Sequence, residues 1–212
     1  GINLVCFYHR GSESLADRIL SKARESVIFF QQLIGPYPFP TFTMCPGQED
    51  YGGGSPLATG LVNFHGMPAE HSFEYDCWIV SHELGHQYWW ENVLDESSDS
   101  WLWRGLGLIC DRELALLKDD GVLQRYESLL AEAKSMGKDL RLNPPTEDIR
   151  TLREDPSYDW NTVVLHGRAL ELMIAIQRCV GKTNFFNYLR SVQRDYAGLI
   201  FTVNEFKYGI TL

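Results

Sequence analysis

The sequence predicts an α+β domain in which a small N-terminal sheet is followed by a mainly helical half. Three observations carry this reading. Glycine and proline punctuation is concentrated before about residue 70, as Gly35-Pro36-Tyr37-Pro38-Phe39-Pro40, Pro46-Gly47 and Gly52-Gly53-Gly54-Ser55-Pro56. From His71 onward, apolar residues recur at helical spacing almost throughout. The stretch Val163 to Val180 is apolar nearly all round, as befits the buried central helix of a domain.

In chain order, Ser14 to Leu33 has the periodicity of an amphipathic helix, with Ser12 or Ser14 placed to cap it. Thr41 to Cys45 and Leu57 to Phe64 read as strands. Helices are expected over 73–94, 101–118, 121–136, 160–180 and 183–196, with loops at 95–100 and 142–157. Neither a repeat nor a linker-like shift in composition divides the chain, so 1–212 reads as one domain. It lacks an initiator Met and stops in FTVNEFKYGITL, where another helical pattern begins, which predicts a domain excised from a longer protein whose other domains are its partners.

Of the 212 residues 44% are hydrophobic and 13% aromatic, enough to bury a substantial core. A net charge of −9, from 19 Lys+Arg against 28 Asp+Glu, offers no basic footprint for a phosphate backbone and argues against nucleic-acid binding. No apolar run approaches the roughly 18 to 20 residues that span a bilayer, so no membrane span is expected in this chain. Its first residues also lack a charged segment succeeded by an apolar one. The five cysteines are odd in number, widely spaced and without a C-x-x-C pair. They read as reduced small hydrophobes, a usage that leans towards the cytoplasm while leaving the compartment open.

The residues that carry chemistry are His82-Glu83-Leu84-Gly85-His86, an H-E-x-x-H pattern inside the helix that begins near Phe73. Residues four apart lie one turn along nearly the same helix face, so both imidazoles can meet one Zn²⁺ at about 2.0 to 2.1 Å. Glu83, one residue on, is angled to take a proton from water rather than to bind the metal. Chance alone produces the pattern in roughly one chain in a hundred of this length. The neighbouring residues make chance a poor explanation: Gln87-Tyr88-Trp89-Trp90-Glu91-Asn92, a short acidic loop, then Trp101-Leu102-Trp103-Arg104-Gly105-Leu106-Gly107.

With these residues the chain resembles the gluzincin aminopeptidases of the alanyl-aminopeptidase type. Their catalytic domain carries H-E-x-x-H-Q and then two aromatic residues, ahead of a tryptophan-leucine helix whose glutamate is the third zinc ligand. Gly35 to Pro40 is similar to the family's segment before the first strand, and Gly52 to Pro56 to its glycine-rich substrate-binding strand. Val164-Leu165-His166-Gly167 resembles a later helix start, and Gly181 to Leu189 the turn and helix beyond it. The resemblance covers essentially the whole chain. It implies a thermolysin-like zincin catalytic domain, without the family's N-terminal β domain or C-terminal helical domain. It further implies zinc held by His82 and His86, Glu83 as catalytic base, and peptide or protein substrate along Gly52, Gly53, Gly54 and Ser55.

Two positions depart from the family's pattern in ways that bear on activity. Arg104 stands where the third ligand is expected, one residue short of the family's spacing, and a guanidinium has no lone pair for zinc and repels it. Val164 replaces the tyrosine that donates to the developing oxyanion, and valine has no donor. A weaker departure is the lack of a glutamate in Gly54-Ser55-Pro56; Glu49 and Asp50 nearby are expected to face water. Leu108 offers no oxygen, and Asp111, seven residues beyond Arg104 on the same face, lies about 10 Å further along the axis, too far for a simple substitution. Asp95, Glu96 and Asp99 read as solvated loop charges, Glu113 as a surface residue and Tyr158 as an exposed loop tyrosine. His9, His65 and His71 read as structural or surface histidines, whereas His166, beside the expected tyrosine position, is placed to line the cleft.

The leading expectation is therefore a zinc metallopeptidase-like domain with weak or lost hydrolysis and weakly bound or absent zinc, retained as a binding module. One alternative is an active zinc-dependent peptide hydrolase with an unconventional third ligand. Another is a non-catalytic peptide-binding or scaffold domain. The expected geometry puts the motif against the glycine strand and Arg104 within hydrogen-bonding reach of Glu83.

Overall fold

A computed structural model describes residues 1–46, 54–64, 72–95, 101–118, 120–135, 142 and 165–210. Gly52, Gly53, Val164, Glu49, Asp50, His65, His71, Glu96, Asp99 and Tyr158 lie outside the described residues. A small mixed sheet precedes a mainly helical half. The strands are β1 (Asn3–Cys6), β2 (Thr41–Pro46), β3 (Ser55–Ala58) and β4 (Leu61–Phe64), in spatial order β1-β2-β4-β3. β1 and β4 run parallel to β2, whereas β3 pairs antiparallel with β4. The strand expected over 57–64 is in fact a hairpin that turns at Thr59-Gly60. Gly60 adopts φ +72°, and a Cβ there would stand 2.6 Å from the Thr41 carbonyl oxygen, so glycine is required. Strand β1, absent from the sequence expectation, is a four-residue edge whose run Leu4-Val5-Cys6 is too short to show a period.

The first helix, α1 (Glu13–Ile34), buries Leu15, Ile19, Ala23, Val27, Phe30 and Ile34, a stripe at three- and four-residue spacing. Ser12 occupies its N-cap without a side-chain cap bond, and Gly35 ends it at φ +117°. Helix α2 (Phe73–His86) is capped by Ser72, whose hydroxyl accepts from the Tyr75 amide at 3.2 Å. α2 is buried on nearly every side from Ile79 to His86, which makes it the centre of the molecule. The helix expected to continue to residue 94 instead widens into a π-helical turn over Gln87–Asn92, with Trp89 at φ −113°, ψ 33°. The three successive aromatic side chains of Tyr88, Trp89 and Trp90 cannot share one face. The wider turn buries Trp89 while the Tyr88 hydroxyl donates to the Gly35 carbonyl at 3.2 Å.

Helices α3 (Trp101–Ala115), α4 (Val122–Ser135), α5 (Ala169–Val180), α6 (Lys182–Asp195) and α7 (Val203–Ile210) complete the described fold, with α5 preceded by a π-helical turn at 165–168. α2 and α3 cross at glycines: a Cβ on Gly85 would lie 3.3 Å from Gly107 Cα. On the other side of α3, a Cβ on Gly105 would meet Met173 at 3.0 Å and Ala169 at 3.2 Å. Gly85→Leu is therefore expected to wedge α2 from α3 and lower stability by about 2 to 3 kcal/mol, measured by urea unfolding. An unchanged midpoint would mean that the crossing tolerates side chains. All five cysteines are free; Cys77 and Cys110 are buried and Cys179 is exposed. Among the described residues, no helix is long and apolar enough to cross a membrane.

Candidate metal centre

Helical spacing and the Gly85–Gly107 crossing together bring the chemistry to one point. His82 and His86 project from the same face of α2, with their Nε2 atoms 3.1 Å apart. One donor atom from each of His82, Glu83 and His86 lies within 4.8 Å of the others, and all three residues are buried. Both carboxylate oxygens of Glu83 and the Nδ1 atoms of both histidines are buried and make no hydrogen bond among the described residues. The Glu83 carboxyl, buried without a partner, is costly unless something binds there, whereas the His82 Nδ1 faces Asp111 on the other side of the ring. The donor set suits a divalent cation such as zinc, for which two imidazole nitrogens are common ligands.

Strand β3 supplies one wall. Gly54, at its start, passes so close to Glu83 that a Cβ there would stand 2.7 Å from Glu83 Cγ and Cδ. Ser55 is held by Asn63, whose side-chain oxygen accepts from the Ser55 amide at 2.8 Å. Gln87, the residue after the motif, accepts from the Gly60 amide at 2.6 Å and ties the β3–β4 turn to the motif helix.

The remaining walls are aromatic and cationic. Trp78 stacks on His82 with ring centres 5.1 Å apart, and the Arg125 guanidinium lies 4.6 Å from the Trp78 ring. Trp103 meets His86 edge-on at 4.7 Å and Trp90 at 4.4 Å. His166 approaches from the turn before α5, its ring centre 5.6 Å from that of His82. Asp111, with a fully buried side chain, places Oδ2 3.5 Å from His82 Nδ1.

Arg104 does not pair with Glu83. The carboxylate oxygens of Glu83 have no hydrogen-bond partner, and the guanidinium carbon lies 4.0 Å over the ring of Trp103. The reason is local: the indole preceding Arg104 on α3 offers a π face that the guanidinium covers. Its charge still reaches the site. Burial first, then the Arg104 charge, pushes His82 from 6.5 down to about 4. Burial holds His86 well below its usual range, aided by His82, His166 and Arg104. Burial and the Asp111 carboxylate hold Glu83 well above the usual carboxylate range.

Three residues take places that sequence reasoning does not assign to them, two beside His82 and one elsewhere in the interior. Asp111 stays outside the donor group, as its distance from Arg104 along the helix implies, yet it faces the rear nitrogen of His82. Its place on the same face of α3 as Arg104 is the signal that points there. Trp78, four residues before His82, is legible by the same helical arithmetic. Glu113, expected at the surface, is buried; it accepts from Gln177 Nε2 at 2.9 Å and pairs with Lys182. Asp95 is half-buried after the π-helical turn, and His9 is exposed.

No family model matches the chain, and no characterised protein matches it by sequence. Solved structures match it by fold. Leukotriene A4 hydrolase from Saccharomyces cerevisiae superposes with TM-score 0.70 at 16% identity, over 99% of this chain and 34% of that one. Yeast leukotriene A4 hydrolase in complex with bestatin gives TM-score 0.72 at 16% identity over 97% and 34%. An M1 zinc metallopeptidase from Deinococcus radiodurans gives 0.67 at 16% identity over 97% and 41%. Identities this low show a shared fold, and the chain spans well under half the length of each of these proteins.

Proposed function

We propose that the chain is a thermolysin-like, gluzincin-type zinc metallopeptidase domain in which hydrolysis is weak or lost, one part of a longer protein. The observation that carries this reading is the facing pair of His82 and His86 Nε2 atoms, 3.1 Å apart beside the partnerless carboxyl of Glu83. The fold shared with M1 zinc metallopeptidases supports it. His82 and His86 are the zinc ligands, and Asp111 orients His82 from behind. Bound zinc supplies a Lewis acid that polarises a carbonyl. Glu83 takes the proton from the attacking water, a role suited to a carboxyl whose buried setting raises its proton affinity. Gly52, Gly53, Gly54 and Ser55 take extended peptide along the backbone, since only glycine permits the approach seen at Gly54.

Arg104 and Val164 weaken this machinery. The Arg104 charge already disfavours a second cation at the histidines, and Val164 removes an oxyanion donor whose loss typically costs about 10² to 10³ in rate. The test is elemental analysis of the purified chain with and without added zinc, paired with hydrolysis of aminoacyl and peptide substrates. Substoichiometric zinc and slow or undetectable hydrolysis are expected. Stoichiometric zinc with rapid turnover would establish the alternative, an active hydrolase with an unconventional third ligand.

The lowered proton affinity of His82 and His86 has a measurable sign. Protons compete with metal for an imidazole only below its own pKa, and His82 stays neutral to about pH 4. Zinc affinity by calorimetry should therefore stay level from about pH 7 to pH 5. A decline beginning near pH 6.5 would show that the pair is solvated and titrates normally.

A further inference from the structure

We propose that His166 is the third protein ligand, completing a three-histidine metal site with His82 and His86; this rests on the zinc-site reading above and names the donor that Arg104 cannot be. Three imidazoles bound to one tetrahedral zinc through nitrogens at about 2.0 to 2.1 Å have ring centres about 5 Å apart. The His82–His86 and His82–His166 centres are 4.5 and 5.6 Å apart, on either side of that spacing. The His82 and His166 rings are inclined by 40°, so they do not stack face to face. The donor atoms that already lie together are those of His82, Glu83 and His86, and His166 joins them by rotation of its side chain on metal binding.

The backbone that carries His166 is held in place. A Cβ on the adjacent Gly167 would lie 2.8 Å from Ala133 Cβ and 3.0 Å from the Leu129 carbonyl oxygen, so this turn seats directly on α4. The other candidates are committed elsewhere. Asp111 stands behind His82 at Nδ1, on the opposite side from the facing Nε2 atoms. Arg104 has no lone pair. Metal bound this way ties α2 to the start of α5 rather than to α3. Three neutral donors leave the charge of the ion uncompensated, so binding is weaker than with a carboxylate ligand.

The experiment uses the full chain, loaded with zinc alone. X-ray absorption at the zinc edge counts imidazoles in the unmodified protein, and chelator competition gives affinities for it and for His166→Phe and His82→Phe, with folding checked by circular dichroism. Three imidazoles, and a loss of affinity of about tenfold or more in folded His166→Phe, are expected. Two imidazoles with an oxygen donor, or unchanged affinity in His166→Phe while His82→Phe abolishes binding, would overturn the assignment and leave the zinc-site reading intact. No zinc in the unmodified chain, or unchanged binding in His82→Phe, would overturn both. The imidazole count decides the matter even if His166→Phe does not fold.

Discussion

Arg104→Glu is expected to raise zinc affinity by about 10- to 100-fold. The guanidinium rests on Trp103, whose ring meets His86 edge-on, and its charge acts on both histidines. The substitution removes a fixed positive charge from a half-buried position beside two buried histidines and adds a carboxylate from the same turn of α3, where opposite charges attract. Hydrolysis should improve far less, because valine at position 164 still offers no donor to an oxyanion. Chelator competition on the two proteins checks this. Equal affinities would mean that the Arg104 charge is screened from the histidines and that weak binding has another cause.

Glu83→Leu is expected to stabilise the metal-free chain by about 1 to 3 kcal/mol, the usual cost of a buried polar group without a partner. Glu83 is 1% exposed, neither carboxylate oxygen is hydrogen-bonded, and burial together with Asp111 favours its neutral form. At about 2 to 4 °C per kcal/mol for a chain of this size, the melting temperature should rise by several degrees. Glu113→Leu should do the opposite. That carboxylate is buried too, but it satisfies Gln177 and Lys182, which its loss leaves without their acceptor. Two buried glutamates with opposite effects on stability would separate a residue kept for chemistry from one kept for structure. A lower melting temperature in Glu83→Leu would show that Glu83 has a structural partner after all.

Features that depend only on neighbours along one chain segment were legible from the residues. The i, i+4 spacing of His82 and His86 places both imidazoles on one face whatever surrounds the helix, and the observed 3.1 Å between their Nε2 atoms agrees with it. Glycine and proline clusters marked the sheet-bearing region, and apolar periodicity marked α1, α3, α4 and α6 to within a few residues. The hairpin turn at Thr59-Gly60 and the π-helical turn after His86 escaped because each depends on contacts with another element, the Thr41 carbonyl in one case and the Gly35 carbonyl in the other. The same limit applied at the site. Contacts between elements decided that Gly54 presses on Glu83, that Asp111 stands behind His82, and that His166 arrives from the turn before α5. Periodicity states which face of a helix a residue occupies. Which face it meets is set by how closely two backbones approach, and here that closeness is decided where Gly85 crosses Gly107.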